Sequence, residues 1–341
     1  MLRIHRLAAA SLITLACVQA HAVVADLGEA SLFSVVTFGN FTGISGDTGS
    51  LLAAGGDVSL TNWNVNAYGT PGYAGQSLIV GGNFVGTSGQ VNGIGGIGVM
   101  GTSTIGGTST TSSFNTGTVT FGASPLNFTV LKTQLDNTSA SVASAAATGT
   151  VQNVSGVGGA PGTTQLIGTN SDVEVFAIDG SQLSANDYLK STDVKAGATV
   201  ILNVSGTSVS MSSFGFDLAG GAKDINLLFN FYQATSLSFA NLALEGSVLA
   251  PHAAVTGASG HIGGTFVAQS FTSAPYVDST GAVALGNFEF HDMDFTPTSI
   301  SSAVPEPSEW ALMLAGGVCV LLVAQRRRGV RRPAPASARR A

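Results

Sequence analysis

Leu52-Ala-Ala-Gly-Gly-Asp-Val58 returns 26 positions later as Leu78-Ile-Val-Gly-Gly-Asn-Phe84. Gly246-Ser-Val-Leu-Ala250 returns 18 positions later as Gly264-Thr-Phe-Val-Ala268, and Gly49-Ser-Leu-Leu-Ala53 fits that second pattern. Repeats of about 20 residues predict coils that stack as a solenoid. Along such a coil, side chains point alternately inward to stack and outward to solvent. Glycine permits the corner turns. Small polar residues at the corners can ladder on their counterparts above and below, whereas like charges about 4.8 Å apart are destabilising. The predicted fold is therefore mainly β: a right-handed β-solenoid or β-helix. A β-sandwich with similar strand spacing is the competing architecture.

Composition fits that geometry. Charged residues make up only 9% of the chain, and 45 of 341 residues are glycine. Such bias also suits disorder. Against disorder stand the recurring apolar runs Leu51-Leu52, Leu78-Ile79-Val80, Val200-Ile201-Leu202, Leu227-Leu228-Phe229, Val248-Leu249 and Phe266-Val267. One segment breaks the β pattern. Ser124-Pro125 reads as an N-cap followed by a first helical residue. Phe128, Leu131, Leu135 and Val142 then fall on one helical face, and Gly149 provides a stop. This predicts one long α-helix over about 125–148, packed along the coils.

The two ends read as targeting segments. Arg3 and Arg6 precede an apolar run from Leu7 to Val18, and Ala20-His21-Ala22 fits a cleavage site. Residues 1–22 are thus expected to be a secretory signal peptide, removed by signal peptidase after Ala22. At the other end, Pro305-Glu306-Pro307 precedes an uncharged run from Trp310 to Ala324 and then Arg326, Arg327 and Arg328. Residues 308–325 are read as a single transmembrane helix. The apolar run is about 22 Å long, shorter than the roughly 30 Å hydrocarbon core. Residues 298–307 form the linker before it, and 326–341 form a basic tail expected to stay cytoplasmic. The domain between, 23–297, contains no cysteine, since Cys17 and Cys319 lie in the two ends. No disulfide or thiolate chemistry is available there.

Charge is segregated in the same way. All nine arginines lie in the ends, whereas Val23–Ile300 has four lysines and seventeen acids, a net of −13 with histidine neutral. An acidic body without arginine cannot neutralise phosphates, so nucleic acid is not an expected partner.

The order of Pro-Glu-Pro motif, apolar span and arginine cluster resembles the PEP-CTERM sorting signal of Gram-negative bacteria. That resemblance implies an exosortase-type processing protease as a partner. It also implies an inner-membrane intermediate and delivery to the cell surface, outer membrane or extracellular matrix. Most such tails end soon after the arginines, whereas this one continues from Gly329 to Ala341. The body resembles the choice-of-anchor A family in three places. These are LGEASLFSVVTFGNFTGISGDTGSLLAAGGDVSL at Leu27–Leu60, the coils at Glu245–Phe271, and Phe288–Phe295 with Phe290-His291. The resemblance implies an adhesive β-helical surface domain, and it supplies no catalytic residues to carry over. More distantly, the architecture is similar to ice-binding β-solenoids, which also pair coils with a helix.

Candidate chemistry in the body is sparse. His291, followed by Asp292 and Asp294, is a conceivable oxygen–nitrogen metal set. His252 and His261 have no metal-ligand spacing to it, so a solvated turn is the favoured reading. Asp217 with Asp224, or Asp292 with Asp294, are the carboxylate pairs available for glycoside hydrolysis. Gly93–Gly98 is glycine-rich but has no adjacent lysine, and reads as corner glycine rather than a phosphate loop. No catalytic residue, metal or cofactor is assigned. The expected function is a non-enzymatic adhesin or structural component that meets extracellular polysaccharide or another surface, with Trp63, Tyr68 and Tyr73 as candidate contacts for sugar rings. Two alternatives are ice or crystalline-surface binding and a polysaccharide-active β-helix enzyme. The ice-binding alternative requires a threonine ladder, but Thr102-Ser103-Thr104 and Thr118-Val119-Thr120 do not recur at the coil period.

Overall fold

Both repeat offsets are strand registers. Leu52 lies level with Leu78 and Val58 with Phe84, while Val248 lies level with Phe266 and Ala250 with Ala268. The third repeat is out by one residue. Ala54, rather than Ala53, shares a level with Ala268 through Thr37, and the pairing of Phe33–Thr37 with Leu51–Ala54 shifts register between Phe33 and Val35. The computed structural model describes residues 25–92, 96–99, 101, 103–106, 114–115, 118–156, 162–218, 226–277, 280–291 and 295. All of them belong to one unit bounded by Val23 and Ile300.

The architecture is a stack of parallel ladders, and the coils are not stacked in chain order. Phe33–Thr37 sits in the middle of the first ladder, between Leu51–Ala54 and the first half of Phe266–Ser273. From there the N-terminal coils proceed outward through Gln76–Val80 and Gly96–Val99 to Val119–Phe121. On the other side, Val173–Asp179 begins the second half. It is followed inward by Thr199–Ser205, Asn226–Asn230 and the first half of Ser247–Gly257, ending at Phe266–Ser273. The last coil therefore closes on the first, and the chain must travel back along the stack between its halves.

The helix Phe128–Ala143 (α1) makes most of that journey. Phe128 lies beside Gly55, Lys132 donates to the Pro251 carbonyl at 3.3 Å, and Asn203 Nδ2 donates to the Val142 carbonyl at 2.8 Å. The helix thus crosses from the coil of Leu51–Ala54 to that of Thr199–Ser205, five strand spacings or about 24 Å. Sixteen helical residues rise about the same distance.

The helix is shorter than the sequence predicts at both ends. Its N-cap is Asn127, whose side chain accepts the Val130 N–H at 3.1 Å. Ser124 instead closes a local turn on Leu126. At the far end Ala145–Ala147 do not continue the helix. The Thr148 N–H is taken by the Val175 carbonyl at 2.9 Å, and Gly149 packs against Phe176. A second, unpredicted helix, Gly180–Ala185 (α2), is capped by Asp179 and Gln182. Among the described residues no helix is long and apolar enough to cross a membrane. The predicted signal peptide, Pro-Glu-Pro motif, span 308–325 and arginines lie outside those residues.

Two cores result. One fills the coils, with Val35, Leu52, Leu78 and Ile97 among its members. The other lies between the first ladder and α1, and joins Val36, Ala53, Ile79, Leu228, Leu249 and Val267 to Leu131, Leu135 and Val142. First-ladder strands are therefore buried on both sides, which is why they read as unbroken apolar runs. Phe128, predicted to dock with Leu131 and Leu135, is only half-buried at the margin of this second core.

Polar groups lock the same seam. Asn230 Nδ2 donates to Asn203 Oδ1 at 2.8 Å and to the Ser139 carbonyl at 2.9 Å, and Asn230 Oδ1 accepts the Ser139 hydroxyl at 2.6 Å. All three residues are buried. At the far end of the ladder Glu174 is fully buried. Burial raises its pKa, but hydrogen bonds from the Ser171 and Thr169 N–H groups and the Thr148 and Thr169 hydroxyls outweigh that and hold it below the ordinary glutamate value. A lowered folded-state value adds stability that is complete above the unfolded pKa and is lost as pH falls through the folded one. Glu174→Gln is accordingly expected to cost about 1.5–3 kcal/mol near neutral pH. Urea melts at pH 7 and in acid check this: the gap between variant and parent should shrink in acid, and a gap independent of pH contradicts it.

Candidate functional site

The corners of the N-terminal coils explain the Gly-Gly-Asp and Gly-Gly-Asn repeats. Asn40 Oδ1 accepts the Asp57 N–H at 2.9 Å, and Asp57 Oδ1 accepts the Asn83 N–H at 2.7 Å. A Cβ on Gly56 would strike the Asn40 side chain, and one on Gly82 would strike that of Asp57. Each glycine thus leaves room for the amide or carboxylate of the neighbouring coil. Asp57 lies between two asparagines, so no like charges are stacked.

Beyond this corner a second parallel ladder begins. Its members in spatial order are Phe84–Val91, Val58–Val65, Phe41–Asp47, the second halves of Phe266–Ser273 and Ser247–Gly257, Ser236–Ala240 and Ser208–Ser212. One register line through it, Phe84, Val58, Phe41, Phe271, Val255, Leu237 and Val209, is buried. The next register position gives Val85, Ser59, Thr42, Thr272, Thr256, Ser238 and Ser210. Six of these seven carry a hydroxyl. Thr42 and Ser59 are half-buried and the other five residues are exposed. A flanking line repeats the theme with Ser270, Ala254, Ser236 and Ser208.

The row spans six strand spacings, roughly 29 Å, and is free of charge. Each hydroxyl can donate one hydrogen bond and accept others. The arrangement is a regular array of small donor–acceptor groups on a β-surface, with no catalytic set among its members. Sequence reasoning missed it. The signal is local: counting two positions on from each corner residue, Asn40, Asp57 and Asn83, gives Thr42, Ser59 and Val85. The threonine clusters that stand out in the sequence belong elsewhere. Thr118 and Thr120 lie at the first ladder, although the backbone of Thr104 does continue the row beyond Val85.

The predicted aromatic contacts are not brought together on the surface. Trp63 is completely buried against Phe41 and Phe290, which removes it as a ligand contact. Tyr68 is 61% exposed and lies over Gly49, and Tyr73 is half-buried with its ring 5.5 Å from that of Phe33.

Two of the three body histidines do meet. The His261 and His291 rings stack at 4.4 Å, with Glu245 and Glu289 each 3.2 Å from a ring nitrogen. Burial and the charge of Glu289 raise the pKa of nearby Asp47, partly offset by His291. No group of three or more histidine, cysteine or acidic side chains among the described residues is placed to hold a metal ion. Asp292 and Asp294, considered with His291 above, lie outside the described residues, as does Asp224. Asp217 faces Lys190 at 3.9 Å.

Residues 26–278 match the model of the family described as "Putative Ice-binding-like adhesive domain". Nothing among curated proteins matches the chain. Two solved structures are similar. An ice-binding protein from an Antarctic biological consortium is 14% identical, with a TM-score of 0.37 over 83% of this chain and 95% of that one. The ice-binding protein of the Antarctic ascomycete Antarctomyces psychrotrophicus is 13% identical, with a TM-score of 0.32 over 82% of this chain and all of the other. With the family match spanning most of its length, the chain belongs to the ice-binding-like adhesive domain family.

Proposed function

We propose that the chain is an exported surface protein that adheres, without turnover, to a repetitive partner through the row Val85–Ser59–Thr42–Thr272–Thr256–Ser238–Ser210. The row itself carries this reading. Equivalent hydroxyls at strand spacing suit a partner that is itself periodic, such as an extracellular polysaccharide. Many weak contacts then add through effective concentration. The same row favours a second reading, binding to ice or another crystalline surface, because a lattice is also periodic. The adhesive family supports both over the hydrolase alternative.

Tyrosine at both Thr256 and Thr272 would break the row at its centre without touching either core. Retention on matrix polysaccharide is expected to fall about tenfold or more, since multivalent contact is lost together. Circular dichroism and thermal midpoint should stay unchanged, and Thr272→Ser should behave as the parent. Parent-level retention in the double variant removes the row from the adhesive site. An ice-shaping assay on the same proteins separates the two readings.

Routing is part of the proposal. The chain is taken to be a choice-of-anchor A protein whose signal peptide is removed after Ala22. Its Pro305-Glu306-Pro307 tail is held briefly in the inner membrane of a Gram-negative cell and then processed by an exosortase-type protease. Mass spectrometry of surface material should find Val23 at the N-terminus. An intact Met1 on that material overturns the export step.

A further inference from the structure

One coil is longer than its neighbour, and the extra chain builds a groove. Phe41 pairs with Val58, 17 residues on, but Val58 pairs with Phe84, 26 residues on. The surplus falls in the loop 66–75. Asn66 fixes that loop from beneath. Its Oδ1 accepts the Thr70 N–H at 2.8 Å, and its Nδ2 reaches the Thr70 carbonyl at 2.8 Å and Ser77 Oγ at 3.0 Å. Left-handed backbone at Asn66, Gly69, Ala74 and Gly75 makes the turns. The product is a groove of about 430 Å³ lined by Ser31, Leu32, Ser50, Thr70, Pro71 and Tyr73 among others. This volume is in the range of small-molecule sites.

The floor of the groove has a defined hydrogen-bond polarity. Thr70 Oγ1 donates to Asn66 Oδ1 at 2.9 Å, so the 2.9 Å contact between Ser50 and Thr70 must be donated by Ser50. Ser50 has thereby spent its only hydroxyl proton, and its Oγ retains acceptor capacity. Its backbone N–H is already held by Ser34 Oγ at 2.8 Å. The walls are different in kind. Leu32 and Pro71 are apolar. The Tyr73 ring is fixed by Phe33 behind it and by donation of its hydroxyl to Glu29 Oε1 at 2.9 Å. Among the described residues no lysine, arginine or histidine lines the groove.

We infer that this groove is a binding site for a neutral six-membered sugar ring, free or at the end of a glycan. A pyranose has a C–H face that suits the Tyr73 and Pro71 walls, and hydroxyls that can donate to Ser50 Oγ. A uronate or phosphorylated sugar finds no cation among the described lining residues and lies near the Glu29 carboxylate that holds Tyr73, so anionic ligands are disfavoured. The site is separate from the hydroxyl row and does not rest on it.

Saturation-transfer NMR on the full chain tests this with methyl glucoside, galactoside, mannoside and glucuronate as probes. At least one neutral glycoside should receive saturation and glucuronate should not. Tyr73→Ala should weaken that binding by about fivefold or more, as loss of one good contact does, while Tyr73→Phe, which keeps the ring and loses only the tether to Glu29, should weaken it less. If Tyr73→Ala does not fold, Ser50→Ala tests the floor: the acceptor itself is removed and binding should again drop. Absence of transfer to every neutral glycoside, equal transfer to glucuronate, or full binding by a folded Tyr73→Ala or Ser50→Ala protein overturns the assignment.

Discussion

Leu135→Ala is expected to remove about 2–5 kcal/mol of stability, the cost of an aliphatic truncation that leaves a cavity. Leu135 is completely buried in the core between α1 and the first ladder. That core is the seam between the two half-stacks. The strands of the N-terminal half contribute Val36, Ala53 and Ile79 to it, and those of the C-terminal half contribute Leu228, Leu249 and Val267. A helix that spans both halves cannot yield on one side without exposing the other. Leu131→Ala should fall in the same range. Asn230→Ala acts on the seam by another route, leaving the Asn203 and Ser139 groups buried and unpaired at about 1–3 kcal/mol. Phe128→Ala should cost less than Leu135→Ala, since Phe128 is half-exposed at the margin. Urea unfolding of the set checks the ranking. A loss near zero for Leu135→Ala would mean that the helix does not tie the halves together.

The sequence was most legible where one coil repeats another. The offset of 26 between Leu52 and Leu78 and that of 18 between Val248 and Phe266 are both real registers, because identical corners impose identical turns. What local repetition cannot reveal is the order of stacking. Nothing in Phe33–Thr37 says that its second neighbour lies more than 200 residues away in Phe266–Ser273. The helix was legible through its apolar face but not at its ends, where tertiary hydrogen bonds to Val175 overrode the helix preference of Ala145–Ala147. The candidate site was hidden for a related reason. Thr42, Thr256 and Thr272 are unremarkable among many hydroxyl residues until the folded register aligns them. The groove is hidden too, since its floor and wall come from three separate coil segments around Ser31, Ser50 and Thr70.

Trp63→Ala should be among the most damaging single changes in the chain, at about 3–5 kcal/mol. Among the described residues its side chain is the largest that is fully buried, packed edge-on to Phe41 at 5.5 Å and against Phe290 at 6.4 Å. The neighbouring coil makes space for the indole with two glycines. A Cβ on Gly43 would come within 2.6 Å of the ring, and one on Gly46 within 2.8 Å. Alanine at 63 would therefore leave a void that the two glycines cannot fill. The indole N–H has no acceptor among the described residues. Phenylalanine at 63 keeps most of the ring volume, so Trp63→Phe should cost far less than Trp63→Ala. A thermal melt of the two variants separates a packing role from a ligand-contact role. If Trp63 were a surface contact, both variants would lose adhesion and neither would lose stability. The packed geometry requires the reverse: stability falls steeply for alanine and little for phenylalanine, and adhesion by folded Trp63→Phe protein matches the parent.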